Sequence, residues 1–378
     1  MFPTKIVVIG AGSASFGLNS LATIVRSERL RGSTLALVDI NAQGLDTIAR
    51  LACQLNKQWH AQLQIESTTD AAEALDGAQF VIVSIEVPPR EKLWRLDWQV
   101  PLKHGLRQPY GENGGPGGFA HAARNIPPVL RIARQMEERC PAAWLIVFSN
   151  PLPRLCRAVT RYSSIKTVGL CHQLLRAYVM AGWVLADELD IQIPDNLSLL
   201  PSLSAGATRR VVSRQAVERL DIKAAGLNHF TCVLSMHDTR TGEHLYPRFK
   251  QRLRAFDPHV QPLSRALLDI FGLFPVPGDD HLSEYLPWCH EPQCQRHRPM
   301  GLGRSRAGAR HDVGARRGDG HGRRAGGRAQ AGHQRRRRRT DRGHRRQSQF
   351  LSYCREYSER RLYFQFTGRH HCGSARAR

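Results

Sequence analysis

Two short stretches carry side chains that can hold a metal ion, and they lie far apart in the chain. "GLCHQ" (169–173) places Cys171 directly after a Gly-Leu pair, and "GLNHF" (226–230) places His229 shortly after another. Neither stretch contains the H-E-x-x-H or C-x-x-C spacing of the common zinc motifs. A thiolate and an imidazole can share a divalent cation only where the fold brings them together.

A third stretch, "KIVVIGAGSASFG" (5–17), predicts a nucleotide-binding turn. Its apolar run is typical of a parallel strand buried on both faces, and the glycines after it let the backbone approach a pyrophosphate. A second predicted strand, "TLALVDI", reaches an acid where an NAD-binding fold has its ribose-binding carboxylate, which favours NAD over NADP. The alternative is a plain glycine-rich turn with a surface aspartate. The predicted cofactor-binding residues are Gly10, Gly12, Ser13 and Asp39.

Further strands follow at intervals that predict the fold class. "FVIVSI" (80–85), "WLIVFSN" (144–150) and "IKTVGL" (165–170) are separated by helical segments such as 122–139. This alternation indicates an α/β protein with a Rossmann-type, doubly wound parallel sheet. Ligands in such sheets bind beyond the carboxyl ends of the strands. We therefore expect Asn150, Cys171 and His172, which follow two of these strands, to lie at the ligand edge of the sheet.

Seven motifs together resemble a known enzyme family. "GAGSASFG", Asp39, "GENGGPGG", "SNP", "GLCH", "GLNHF" and "GDDHLSEYLPW" occur in the order seen in glycoside hydrolase family 4. These are NAD- and divalent-metal-dependent glycosidases whose nucleotide domain is similar to that of lactate and malate dehydrogenases. The resemblance covers residues 4–288 and then stops abruptly.

The resemblance implies an answer to the question of the remote cysteine and histidine. It assigns Cys171 and His229 as the ligands of Mn²⁺ or another divalent cation, with hydroxyls of the sugar completing the coordination. It also places Asn150 and His172 near the substrate. The alternatives are that His229 is a core histidine after a glycine turn, and that His172 is a structural side chain.

The chemistry that the resemblance implies differs from the usual displacement by two carboxylates. NAD⁺ oxidises the sugar at C3, a base removes the C2 proton, the glycosidic oxygen leaves by elimination, and the hydride returns. Glu112 is the expected acid, with Asp279 as first choice for the base and Tyr285 as second. The expected substrate is a small-molecule α-glucoside, α-galactoside or α-uronide, hydrolysed at its O-glycosidic bond.

Charge divides the chain into two unlike regions. The formal net charge of +23 splits into +5 for residues 1–288 and +18 for residues 289–378. Residues 291–350 contain 18 arginines and no lysine, a composition that predicts a disordered segment. An arginine-rich RNA-binding extension is one interpretation. We favour the other, a shifted reading frame in a GC-rich gene, so nucleic acid is not an expected partner.

The sequence predicts three regions. Residues 1–170 form an NAD-binding domain, 171–288 form a truncated α+β substrate- and metal-binding domain, and 289–378 form the basic tail. Nine cysteines without a repeating spacing argue against a disulfide framework. With no apolar leader or membrane span, we expect a cytoplasmic protein, and a homo-oligomer if its C-terminal region is intact. The alternative enzyme is an NAD-dependent 2-hydroxy acid dehydrogenase of the lactate/malate type.

Overall fold

The computed structural model describes residues 3–12, 14–193 and 206–290 of the chain. The predictions made for Ser13 and for the arginine-rich tail lie outside these residues. Within them, no helix combines the length and the apolar composition needed to cross a bilayer.

Six parallel strands form the main sheet, in the order β3-β2-β1-β4-β5-β6. The strands are β1 (Lys5–Ile9), β2 (Thr34–Val38), β3 (Gln64–Thr68), β4 (Phe80–Val83), β5 (Trp144–Val147) and β6 (Lys166–Gly169). The chain starts in the middle of the sheet and builds outward in both directions, as in doubly wound nucleotide-binding folds. The predicted Rossmann-type fold class is therefore confirmed.

Helices cover both faces of this sheet. They are α1 (Ala14–Arg26), α2 (Ala42–Gln58), α3 (Ala71–Leu75), α4 (Arg90–Lys103), α5 (Gly115–Arg139) and α6 (Leu152–Tyr162). In β1, Val7 and Ile9 belong to one buried apolar cluster, whereas Ile6 and Val8 belong to another on the opposite face. Because successive side chains of a strand point to opposite faces, a strand covered on both sides must be apolar throughout.

The second part of the described chain is built from helices around a two-stranded antiparallel hairpin. Its elements are α7 (Leu174–Val184), α8 (Ala186–Leu189), α9 (Gly206–Arg219), β7 (Leu220–Leu227), β8 (Phe230–Asp238), α10 (Tyr246–Ala255), α11 (Pro262–Phe271) and α12 (Asp279–Leu282). The hairpin turn consists of Asn228 and His229, and His229 has a φ of 61°. This left-handed conformation is uncommon for a residue other than glycine, although His tolerates it better than most.

Candidate metal and nucleotide site

The glycine loop after β1 lies against the ends of two neighbouring strands. The backbone N–H of Gly10 donates to the carbonyl of Val38 at 2.9 Å. Gly10 has a φ of +91°, and a Cβ there would clash with the carbonyl oxygen of Ser84. The N–H of Gly12 donates to a carboxylate oxygen of Asp39 at 2.8 Å. This loop fits a dinucleotide. Its glycines have no side chains to block the approach of a pyrophosphate to the backbone, and Asp39 offers an acceptor for a ribose hydroxyl.

Cys171 and His229 meet at the carboxyl end of β6. The Sγ atom of Cys171 lies 3.4 Å from Nε2 of His229. Two donors at about 2.3 Å (S) and 2.1 Å (N) from one ion have this separation when the angle at the ion is roughly 100°. Burial lowers the pKa of His229 to about 2, so its imidazole is neutral, as a ligand must be. The pair therefore fits a divalent cation.

Gln173 ties the two ligand-bearing stretches together. Its Oε1 accepts a hydrogen bond from the backbone N–H of His229 at 2.8 Å, and its Nε2 donates to Oγ1 of Thr231 at 3.0 Å. Gln173 lies two residues after Cys171, and both the oxygen and the nitrogen of its carboxamide thus bind the hairpin. This clamp holds the turn in register with the end of β6 and fixes the left-handed backbone of His229.

Burial has the opposite effect on the thiol. It raises the pKa of Cys171, whereas a hydrogen bond from Asn228 lowers it by less. The nearby Arg176 guanidinium also lowers the pKa of Cys171, but burial outweighs it. A bound metal ion would supply the further positive charge that favours the thiolate form.

A second group of donors lies on the other side of the His229 ring. Ligand atoms of Glu112, His229 and His281 all lie within 4.8 Å of one another. The rings of His229 and His281 stack, with centroids 3.9 Å apart and an angle of 29° between their planes. The side-chain nitrogen of Asn113 lies between two members of this group, 2.7 Å from Nδ1 of His229 and 2.9 Å from Oε2 of Glu112.

Glu284 holds the loop that carries Glu112 and Asn113. Its Oε1 accepts hydrogen bonds from the backbone N–H groups of Glu112 at 2.5 Å, Asn113 at 2.9 Å and Gly114 at 3.4 Å. Burial raises the pKa of Glu284 to about 7. Buried backbone N–H groups need an acceptor, and within the described residues this loop has no neighbouring strand to provide one. The Glu284 carboxyl provides it instead.

One predicted site residue, Glu112, belongs to this cluster, and three others lie near it. Glu112 is buried, which raises its pKa, and a hydrogen bond from Asn150 opposes that effect. The hydroxyl of Tyr285 donates to the carbonyl of Asn228 at 3.0 Å, next to His229 in the turn. His172 is exposed, and its charge helps to lower the pKa of His229.

Asp279 occupies a different position from the one expected of a base. Its carboxylate accepts hydrogen bonds from the backbone N–H groups of Leu263 at 2.9 Å and Ser264 at 2.8 Å, and from the Ser264 hydroxyl at 2.7 Å. These groups begin α11, so Asp279 caps that helix from a distance. Both oxygens are engaged there, and these contacts do not support a role in taking a proton from a substrate.

We predict that Asp279→Ala lowers the free energy of unfolding by about 2–4 kcal/mol, because it leaves two helical N–H groups without an acceptor. Asp279→Asn keeps one acceptor oxygen and is expected to cost less, with the turnover number changed by less than about tenfold. Thermal and urea unfolding, together with turnover of the Asn variant, provide the check. A loss of about 10²–10⁴ in turnover with normal stability would instead identify Asp279 as the base.

The structure adds residues that the sequence prediction missed. Asn113, Gln173, His281 and Glu284 each bind or pack against a predicted site residue. Asn113, His281 and Glu284 lie inside the family motifs "GENGGPGG" and "GDDHLSEYLPW", and Gln173 directly follows the motif "GLCH". Their presence in or beside those motifs was the available signal.

Comparison with known proteins agrees with this geometry. The sequence model of Family 4 glycosyl hydrolase matches residues 5–181. The alpha-glucosidase of Erwinia rhapontici is 32% identical over 328 residues, which cover 76% of this chain and 66% of that protein. The alpha-galactosidase of Bacillus subtilis is 30% identical over 286 residues, covering 75% of this chain and 59% of that protein.

Solved structures share the fold. A 6-phospho-alpha-glucosidase from gut microorganisms, crystallised with NAD and Mn²⁺, has a TM-score of 0.60 and 20% sequence identity, covering 81% of this chain and 65% of that one. The chain spans 59–66% of the lengths of these three proteins. The matching family model, together with relatives that are 30% and 32% identical to this chain over the aligned residues, shows that the chain belongs to glycosyl hydrolase family 4.

Proposed function

We propose that the chain is a glycosidase that uses NAD and a divalent cation, Mn²⁺ being the first choice, to hydrolyse an α-glucoside, α-galactoside or α-uronide. The observation that carries this proposal is the 3.4 Å approach of Cys171 Sγ to His229 Nε2 at the carboxyl edge of a nucleotide-binding sheet. Relatives named alpha-glucosidase and alpha-galactosidase support the substrate class. These relatives are glycosidases, which favours this activity over that of a hydroxy acid dehydrogenase.

The proposal gives most of the predicted residues a part. Gly10, Gly12 and Asp39 hold the dinucleotide, and Cys171 and His229 hold the cation. When bound, NAD⁺ would supply a hydride acceptor and the cation a Lewis acid for the sugar oxygens. Asn150 and His172 would contact the substrate.

Proton transfer in the proposed site falls to two groups. Burial raises the pKa of Glu112, which suits a carboxyl that must keep its proton and give it to the departing glycosidic oxygen. Tyr285 is the remaining candidate for the residue that takes the proton from C2, since Asp279 caps α11. The hydroxyl of Tyr285 contacts the turn that carries the ligand His229, which would place it near a sugar bound to the cation.

The proposal includes the domain organisation expected from the sequence. Residues 1–170 form the domain that binds NAD, and residues 171–288 form the domain that binds the substrate and the metal. A cytoplasmic location, and a homo-oligomer if the C-terminal region is intact, are also part of it.

Solvent exchange at C2 tests the proposal. With NAD⁺ and Mn²⁺ in D₂O, aryl α-glucosides, α-galactosides and α-galacturonides are incubated with the chain, and the released sugar is examined by NMR. Because a base must remove the C2 proton before the bond breaks, we expect about one deuteron at C2 per turnover and no hydrolysis when NAD⁺ is omitted. Hydrolysis that proceeds without deuterium at C2 would exclude this chemistry.

A further inference from the structure

The two nitrogens of the His229 ring face different sets of donors. Nε2 faces Cys171 Sγ at 3.4 Å, whereas Nδ1 faces the Asn113 side chain at 2.7 Å. Beyond Asn113, Oε2 of Glu112 lies 3.8 Å from the same Nδ1. One imidazole therefore separates two places where a cation can find protein ligands.

The Nδ1 side has the larger set of ligands. Glu112, His229 and His281 offer one carboxylate oxygen and two imidazole nitrogens, all within 4.8 Å of one another. Two histidines and one carboxylate form a common site for divalent first-row metals. Nδ1 of His281 lies 3.9 Å from the Glu112 carboxylate and, among the described residues, has no hydrogen-bond partner. By donor count alone, a cation would prefer this side to the Cys171 side.

The Asn113 carboxamide fills the space that such a cation would need. Its nitrogen bridges Glu112 Oε2 at 2.9 Å and His229 Nδ1 at 2.7 Å. Asn113 is 0% exposed, and its backbone N–H is anchored on Glu284. The side chain is therefore enclosed by protein and held in place through its own backbone.

The same carboxamide can also set the proton on the ring. Its Oδ1 is buried and, within the described part of the chain, has no hydrogen-bond partner. A half-turn of the amide exchanges Oδ1 and Nδ2 in nearly the same volume. Oδ1 then accepts a hydrogen bond from Nδ1–H of His229, and the lone pair of Nε2 faces Cys171. Oδ1 then takes the position of Nδ2, 2.9 Å from Oε2 of Glu112, where a hydrogen bond forms only when the Glu112 carboxyl carries its proton and donates it.

We propose that Asn113 is a positioning residue that directs the divalent cation to the Nε2 side of His229, where Cys171 is the second ligand, by occupying the three-ligand pocket on the Nδ1 side. The proposal rests on the proposed function, because it takes metal binding at His229 as given. According to the proposal, the side chain of Asn113 decides which side of His229 binds the cation. The identities of Cys171 and His229 alone do not decide it.

Cobalt(II) substitution tests the proposal, because a thiolate ligand gives a charge-transfer absorption that carboxylate and imidazole ligands lack. Residues 289–378 contain further cysteines and histidines, so the spectrum of Cys171→Ser provides the baseline. We expect the wild-type chain to show the thiolate band. Asn113→Ala and the smaller polar variant Asn113→Ser are expected to bind Co²⁺ at least as tightly with the band lost. In the Asn113→Ala background, His281→Ala should then weaken Co²⁺ binding by about 10-fold or more.

A wild-type comparison keeps the test decisive if the Asn113 variants fold poorly. His281→Ala alone should change the Co²⁺ affinity of the otherwise wild-type chain by less than about threefold, whereas Cys171→Ser should weaken it by about 10–100-fold or more. Equal losses from both changes would overturn the proposal, as would a thiolate band that persists in both Asn113 variants. Absence of the band in the wild-type chain would count against the proposed metal site itself.

Discussion

Cys171→Ser and His229→Asn are each expected to lower Mn²⁺ affinity by about 100-fold or more and turnover of an aryl glycoside by about 10³-fold. Losing a group that merely supports a ligand already costs about 10–100-fold in affinity, and the cation contributes several kcal/mol to stabilising charge on the sugar. Asn is the chosen replacement because it tolerates the left-handed φ of 61° at position 229 better than Ala. Calorimetric titration with Mn²⁺ and steady-state kinetics measure the two effects.

The double variant gives a sharper result than either change alone. If the two side chains share one ion, removing the second ligand after the first should cost little more, so the losses are strongly non-additive. Matched controls lie elsewhere in the chain. Cys53→Ser replaces an exposed cysteine on α2, and His237→Asn replaces a half-buried histidine on β8. Additive losses, or normal Mn²⁺ affinity in Cys171→Ser, would contradict the shared-ion assignment.

The sheet was predictable because its central strands are buried on both faces. The runs at Lys5–Ile9, Phe80–Val83 and Trp144–Val147 contain almost only apolar residues, and the structure places strands there. β3 was missed because "QIEST" lies at the edge of the sheet and is mostly exposed. An edge strand needs no continuous apolar run, so its sequence resembles that of a loop.

The start of α5 was also mispredicted, and the cause is local. The sequence predicted a helix over 122–139, yet it begins at Gly115, within "GGPGG". Glycine normally disfavours a helix. A Cβ at Gly118 would clash with the backbone of Asn113. The glycines therefore serve close packing of the helix start against the Asn113 loop, a requirement that only the folded chain reveals.

Some residues of the candidate site were predictable from the sequence and others were not. Cys171 and His229 were identifiable because each lies in a family motif, and no spacing rule alone would have paired them. The distant cap at Asp279 was not predictable, because its partner is the start of α11, which precedes it in the chain. Neighbours in sequence take different roles here. Asp280 forms an ion pair with Arg176 at 2.6 Å, whereas Asp279 binds backbone.

Glu284→Ala is expected to lower the free energy of unfolding by about 3 kcal/mol or more. The change removes the acceptor of three backbone N–H groups in the buried loop 112–114, and each unsatisfied donor costs about 1–3 kcal/mol. Glu284→Gln retains an acceptor oxygen in the same position and is the matched control. Urea unfolding at one pH compares the two variants with the wild-type chain.

The stability should also depend on pH in a direction set by this carboxyl. Burial raises the pKa of Glu284 from 4.5 to about 7. A group whose pKa is higher in the folded chain stabilises it fully below the unfolded value and loses that contribution as pH rises through the folded value. Between pH 4.5 and 7 the wild-type chain should therefore lose roughly 3 kcal/mol relative to Glu284→Gln, which cannot ionise.

The two variants distinguish the contribution of the hydrogen bonds of Glu284 from the contribution of its charge. Glu284→Gln tests the charge, because it removes ionisation and keeps an acceptor for the N–H groups of Glu112 and Asn113. Glu284→Ala removes both. If the loop depends on the acceptor, the Co²⁺–thiolate band of Cys171 is lost in the Ala variant and retained in the Gln variant, because only the Gln variant keeps Asn113 in position beside His229. Equal losses in both variants would show that the carboxylate charge, rather than the acceptor, organises the site.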